Sequence, residues 1–277
     1  METIFPPFDP DESSNRPRLR QVRQVPIRMI LPNLVTLLGL CAGLTAIRMA
    51  IESRYGEAIA MIVIAAVLDA VDGRVARLLR STSRFGAELD SLADFVNFGV
   101  APAIILYVWA LDQVHSLGWI AALVFSICAA LRLARFNVAI DGPTKPDWHG
   151  NFFTGVPAPA GALIVMLPVY LENLDIPIAS VGVPIVFLYT VAVGLLMVSR
   201  LPTWSGKKMG ARIPREVVLP LFVLVVVAAA SLLSYPWHVL AAGATAYLIA
   251  LPLGWRQFRR LEARDRAAGR HSEPADL

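Results

Sequence analysis

Charge is scarce in this sequence: Asp, Glu, Lys and Arg make up 17% of the 277 residues, beside 56% hydrophobic residues, where a typical soluble domain carries about 25% charge. With a mean hydropathy of +0.60, too little polar surface remains to coat a water-soluble globule, which excludes a soluble enzyme, a nucleic-acid module and a disordered chain. Cysteine is nearly missing. Cys41 and Cys128 both lie inside apolar runs with no CxxC pair, so no disulfide framework is expected and both read as reduced packing residues. His115, His149, His238 and His271 are scattered without ligand spacing. No internal repeat or low-complexity segment stands out. An apolar run of the signal-peptide kind is also missing before residue 29, where Glu2, Asp9, Asp11, Glu12 and five arginines sit instead; no cleavable signal peptide is expected.

What the sequence has in plenty is long apolar runs. Eight candidate spans fall near 31–50, 58–79, 92–111, 117–136, 156–171, 179–198, 217–234 and 237–254, the fifth the shortest, which predicts an all-α integral membrane protein with about eight transmembrane helices. An even count places both termini on one side, and the basic residues test that independently. Taking the tails and alternate loops as cytoplasmic puts 23 of the 25 Lys and Arg inside, with only Arg48 and Arg54 outside. The net charge of +4 is therefore an orientation signal, with contact to anionic lipid as its second use, and not a nucleic-acid patch. Gly39-x-x-x-Gly43 in the first span reads as close helix packing.

Four carboxylates break the pattern. Asp69, Asp72, Asp90 and Asp94 lie at the inner ends of the second and third spans. On insertion scales an aspartate at the bilayer centre costs about 2.5–3.5 kcal/mol, so four without partners approach roughly 12 kcal/mol as an upper bound. On a helix turning 100° per residue, Asp69, Asp72, Gly73 and Ala76 share one stripe with Arg77 beside it, and Gly86, Asp90 and Asp94 follow at i+4 steps. Joined by the short turn Arg80-Ser81-Thr82-Ser83, the two helices are antiparallel neighbours and aim all four carboxylates at one spot. Hard oxygen ligands at this density suit Mg2+ or Mn2+, as a pair of ions about 3.5–4 Å apart, far better than zinc. Gly73, Ala76 and Gly86 leave that face open, and Arg77 offers a fork for phosphate oxygens. These parts describe a site for a diphosphate whose other end stays in lipid. Two other readings stay open: an inner-face salt-bridge cluster of the acids with Arg74, Arg77, Arg80 and Arg84, and a proton or cation pathway.

The pattern Asp69-x-x-Asp72-Gly73-x-x-Ala76-Arg77, eight residues, Gly86-x-x-x-Asp90-x-x-x-Asp94 resembles the signature of the CDP-alcohol phosphatidyltransferase family at every fixed position. The resemblance implies a six-helix catalytic core over about 29–200, usually in a homodimer. It also implies two metals bound by Asp69, Asp72, Asp90 and Asp94, a CDP-diacylglycerol site at Gly73, Ala76, Arg77 and Gly86, and Asp94 as the base. Asn33 and Thr36, in Pro32-Asn33-Leu34-Val35-Thr36, resemble the polar helix start that meets the diphosphate; Ser83 is a further nucleotide contact. Three runs, Asp90 to Pro102, Arg132-Leu133-Ala134-Arg135-Phe136-Asn137, and Phe152 to Pro159, resemble the branch whose acceptor is L-serine, with phosphatidylserine and CMP as products. The resemblance spans roughly 27–200, which leaves 201–255, an inner loop and two additional helices, supported by hydropathy alone, between polar tails at 1–28 and 256–277.

Arg132 and Arg135, with Asn137, are candidates to hold the serine carboxylate, or else are anchors that snorkel to the interface. Phe152–Pro159 is a substrate lid or a proline-bearing helix start. Lys207, Lys208, Arg212 and Arg215 read as a solvated inner loop. Other acceptors in the same family (glycerol 3-phosphate, an inositol phosphate, choline) and a membrane prenyltransferase, whose aspartates lie on well-separated helices, are the rival functions.

Overall fold

The computed structural model describes residues 27–79, 83–140, 152–178, 182–204 and 215–267. Residues 1–26 and 268–277 of the tails, Arg80, Ser81 and Thr82 of the turn, and Lys145, His149, Lys207, Lys208 and Arg212 lie outside the described residues.

Helices α1 (Ile27–Ile51) and α2 (Tyr55–Leu78) form a hairpin closed by a three-residue turn, in which Ser53 takes a left-handed φ of 60° and the Arg54 N–H returns to the Met49 carbonyl at 2.8 Å. Arg48 and Arg54, the two basic residues assigned to the outer side, are neutralised at this turn: Arg48 pairs with Glu52 at 2.9 Å, and Arg54 pairs with Glu52 at 3.3 Å and with Glu57. The Arg48 guanidinium, and then Arg54, hold the Glu52 carboxyl below its usual range. Exposed pairs of this kind add little stability, but they cancel the positive charge of this turn.

The third span is one helical rod in three parts: α3 (Arg84–Asp94), a π-helical turn (Phe95–Val100) and α4 (Ala101–Trp109). It begins some eight residues before the apolar run does, because Ser83 caps the polar stretch by accepting from the Gly86 N–H at 3.0 Å. The π turn loosens the ladder, and Ser126 of α5 (Ser116–Ile140) donates to the Gly99 carbonyl at 3.2 Å. On the opposite side, Asn97 of the same turn is buried against Gly43. A Cβ at Gly43 would overlap the Asn97 amide, so the glycine pair of α1 does serve close packing.

The fifth span is broken into α6 (Ala158–Val165) and α7 (Leu167–Glu172). Pro168 has no N–H for the Ile164 carbonyl, and the Tyr189 hydroxyl donates to that oxygen instead, at 2.8 Å. Tyr189 belongs to α8 (Val183–Val198); α9 (Arg215–Ser234) and α10 (Pro236–Ala267) complete the chain. The last helix outruns its apolar stretch, with Arg259 stacked 4.2 Å from the Trp255 ring centroid.

Each of the eight expected spans thus overlaps a helix among the described residues. Four, Ile30–Ile51, Arg84–Trp109, Ser116–Ala139 and Pro236–Ala263, are long and apolar enough to cross a membrane by length and composition, and Ala158–Glu172, Val183–Val198 and Val218–Ser234 are shorter apolar helices. The distribution of side-chain size agrees with a bilayer. Ala42, Ala46, Ala50, Ala58 and Ala65 of α1 and α2 are buried, while Leu34, Leu37, Leu38, Leu44 and Val67 are exposed, as expected where lipid replaces water outside the bundle. The chain is an all-α multi-pass membrane protein.

One element was not expected. Strands β1 (Phe152–Thr154) and β2 (Pro202–Trp204) pair antiparallel, Phe153 opposite Thr203. Gly155, at φ +77°, turns the chain from β1 toward α6 with its N–H on the Leu201 carbonyl at 2.8 Å. The structure therefore shows Phe152–Pro159 as a strand, a glycine turn and a proline-led helix start.

Candidate active site

The site forms where the C-terminal part of α2 and helix α3 meet the start of α1. Carboxylate oxygens of Asp69, Asp72 and Asp90 lie within 4.8 Å of one another. Asp72 is 5% exposed and accepts from the Thr36 hydroxyl at 2.8 Å, with the Pro32 carbonyl as that hydroxyl's alternative acceptor at 3.1 Å. Asp94, one turn beyond Asp90, is in side-chain hydrogen-bond contact with Asp69.

Such a cluster is costly by itself. At an effective dielectric of about 20, two carboxylates at this spacing repel by roughly 3–4 kcal/mol. The salt bridges Arg48–Glu52, Arg54–Glu52 and Arg54–Glu57 lie at the α1–α2 turn; among the described residues Arg74, Arg77 and Arg84 form none with these acids. The salt-bridge reading of the cluster thus finds no support in these arginines. An all-oxygen donor set, partly buried and without a basic partner in contact, fits a hard divalent cation.

The small residues expected to leave the site open differ from one another. A Cβ on Gly73 would meet nothing within 4 Å, so the α2 backbone is open beside Asp72, with Ala76 half-buried and Arg77 exposed one turn further on. At Gly86 the added Cβ would stand 2.9 Å from Asn33 Oδ1 and 3.1 Å from Ser83 Oγ. Glycine there lets the Asn33 amide approach α3, and brings Asn33, Ser83 and Gly86 to one point. Ser83 is engaged as the helix cap, a duty that suits a serine three residues before Gly86.

The three candidates for the serine site separate. Arg132 faces the acids: it lies close enough to Asp94 and Asp69 to interact electrostatically, its guanidinium carbon sits 5.5 Å from the Phe136 ring centroid, and its buried Nε makes no hydrogen bond. Arg135 instead donates to the Val198 carbonyl at 2.6 Å, where it satisfies the end of α8. Asn137 Nδ2 donates to Ser91 Oγ at 2.9 Å and ties α5 to α3 next to Asp90. Asn97, three residues beyond Asp94, was given no role in the sequence; it is 2% exposed, and its Oδ1 has no partner.

Comparison with known proteins bears on the whole arrangement. The family model described as CDP-alcohol phosphatidyltransferase matches residues 29–198. A second, described as CDP-alcohol phosphatidyltransferase 2, matches residues 216–252, so similarity extends into the last two helices, beyond the limit near 200 expected from the motifs. The chain is similar to the CDP-diacylglycerol–serine O-phosphatidyltransferase of Mycobacterium leprae (strain TN), 51% identical over 153 residues, covering 55% of this chain and 50% of that relative. In that match the chain spans only half the length of the relative. It is 40% identical over 235 residues to the protein so named from Mycobacterium bovis, with 84% of this chain and 80% of the relative covered. To that from Helicobacter pylori (strain ATCC 700392 / 26695) it is 34% identical over 226 residues, with 82% and 91% covered.

Proposed function

The chain belongs to the CDP-alcohol phosphatidyltransferase family, and from that premise we propose that it transfers the phosphatidyl group of CDP-diacylglycerol to the hydroxyl of L-serine, giving phosphatidylserine and CMP. The observation that carries the reading is the convergence of Asp69, Asp72 and Asp90 within 4.8 Å, with Asp94 in contact with Asp69. Asp69, Asp72, Asp90 and Asp94 would hold Mg2+ or Mn2+, two ions in our reading, which supplies neutralisation of the diphosphate charge.

The chain's own residues do the rest. Asn33 and Thr36 at the start of α1, with Ser83 and Gly86 at the start of α3, bound the diphosphate from one side, and Gly73 and Ala76 admit it to the α2 backbone. Arg77 is the fork for its oxygens. The serine hydroxyl attacks the phosphorus attached to the diacylglycerol. Asp94 takes the hydroxyl proton as the new P–O bond forms, and the bond from that phosphorus to the CMP oxygen breaks. Arg132, the cation nearest the acids, holds the serine carboxylate and orients the hydroxyl toward Asp94. Arg135 and Asn137 act at one remove, by fixing α8 and α3 against α5. We place these steps in the 29–200 core; the homodimer implied by the family resemblance is not needed for them.

CMP release from CDP-diacylglycerol, measured with serine, glycerol 3-phosphate, an inositol phosphate and choline offered separately, tests the proposal. Serine is expected to support turnover and the other three to give background. Faster release with any of those three would move the chain to another acceptor.

The active site and both termini are proposed to face the cytoplasm, since 23 of the 25 basic residues then lie inside and the outer pair is neutralised by Glu52 and Glu57. Single cysteines introduced by Ser14→Cys or Ser272→Cys, in a background lacking Cys41 and Cys128, are expected to resist an impermeant thiol reagent in intact cells. Labelling of either would overturn the inner placement.

A further inference from the structure

The last helix, α10, belongs to neither the aspartate motif nor the runs that resemble the serine branch. Yet it packs on β2, α6 and α7 through Ala241 and Ala244, both buried, and one turn on from Ala244 it carries Tyr247. The Tyr247 hydroxyl is buried and makes no hydrogen bond of regular geometry. Thr203 of β2 lies beside it, with its own proton donated to the Gly155 carbonyl at 2.8 Å. Arg132, whose buried Nε–H is also without an acceptor, lies within electrostatic range of Tyr247.

Two buried polar groups from different helices, each without a hydrogen-bond partner and within electrostatic range of each other, are not a stable way to fill a protein interior, because each has given up its hydrogen bonds to water without replacement. Their common need is an acceptor, and beside a guanidinium the acceptor that gains most is an anion. The diphosphate already has its place on the α1–α3 side, by Asn33, Gly86 and Gly73. On the Arg132 side the nearest reactive group is Asp94. An anion between Arg132 and Tyr247 that belongs to a small acceptor therefore sets the rest of that molecule next to the proposed base.

We propose that Tyr247 of the last helix, together with Arg132, forms the specificity pocket for the carboxylate of the acceptor amino acid, so that α10 is part of the substrate site and not only a membrane anchor. This rests on the reading that serine is the acceptor. The Gly155 turn and the β1–β2 ribbon then have a function: they hold Thr203 beside the Tyr247 hydroxyl.

The test uses the full chain in mixed micelles with CDP-diacylglycerol and compares it with Tyr247→Phe, which keeps the ring and removes the hydroxyl. The KM for serine is expected to rise about tenfold or more, as for loss of a hydrogen bond to a charged group, with the KM for CDP-diacylglycerol and kcat within about twofold. Serinol, in which a hydroxymethyl group replaces the carboxylate, is the second arm. Its turnover relative to serine is expected to rise in Tyr247→Phe by the factor serine loses, since serinol never used the contact. An unchanged KM for serine, or equal losses for serine and serinol, would overturn the pocket and leave Tyr247 as packing. No serine-dependent CMP release by the unsubstituted chain would instead overturn the acceptor assignment itself.

Discussion

Asp94→Asn is expected to lower kcat by about 10²–10⁴-fold, the usual worth of general-base assistance, which is about 2.7–5.4 kcal/mol of transition-state stabilisation. The amide preserves shape and hydrogen-bonding reach but cannot accept the hydroxyl proton. CDP-diacylglycerol affinity is expected to fall much less, because Asp69, Asp72 and Asp90 form the group of mutually close oxygens without Asp94. Asp90→Asn should behave differently and weaken activation by metal together with nucleotide binding. Steady-state kinetics over a metal titration separate the two. Near-normal kcat for Asp94→Asn at saturating metal and serine, or full recovery on raising the metal concentration, would make Asp94 a ligand and send the search for the base elsewhere.

Chelation is expected to abolish turnover, and Mg2+ or Mn2+ to restore it. The argument is the repulsion estimated above: with roughly 3–4 kcal/mol per carboxylate pair, and a diphosphate adding charge of the same sign, the occupied site without a cation would have to take up protons or release the substrate. Thr36, which donates to Asp72, is too little compensation, and Arg77 makes no ion pair with the acids. Asp69→Asn and Asp72→Asn should each raise the metal concentration needed for half activity, and Asp72→Asn should also disturb the Thr36 contact. CMP release measured in excess chelator is decisive; full activity there would refute the metal site.

How far these features could be read in advance depends on whether they are local. The eight helices follow from apolar runs, and the stripe of Asp69, Asp72, Gly73 and Ala76 follows from 100° per residue, so the carboxylates, the open backbone at Gly73 and their meeting at one end of the bundle were legible, whereas the side of Gly86 expected to be open is filled by Asn33 and Ser83. The start of α3 was misplaced by hydropathy because a capped polar turn has no apolar signal, although Ser83 three residues before Gly86 was itself a capping clue. Arg132 and Arg135 lie only about 60° apart on their helix. Which of them meets the acids is decided by where the end of α8 falls, and Val198 takes Arg135. That choice is tertiary, as are the three-residue ribbon joining Phe152–Thr154 to Pro202–Trp204 and the arrival of Tyr247 from a helix more than a hundred residues beyond Arg132. No periodicity within a window of the chain encodes such meetings.

The π-helical turn at Phe95–Val100 also bears on which length changes this rod tolerates. A π turn holds one residue more than the α turn it replaces, so losing a residue there restores regular helix and leaves Asp90 and Asp94 in phase with Ala101–Trp109. The same loss between Arg84 and Asp94 swings everything upstream by about 100° and turns Gly86 away from Asn33. The span thus has one position at which insertion or deletion is nearly silent for the acids, and it coincides with the place where Asn97 enters the glycine notch of α1. A gap in the alignment of this helix with a relative is most readily accommodated there, at the cost of the notch and not of the aspartates.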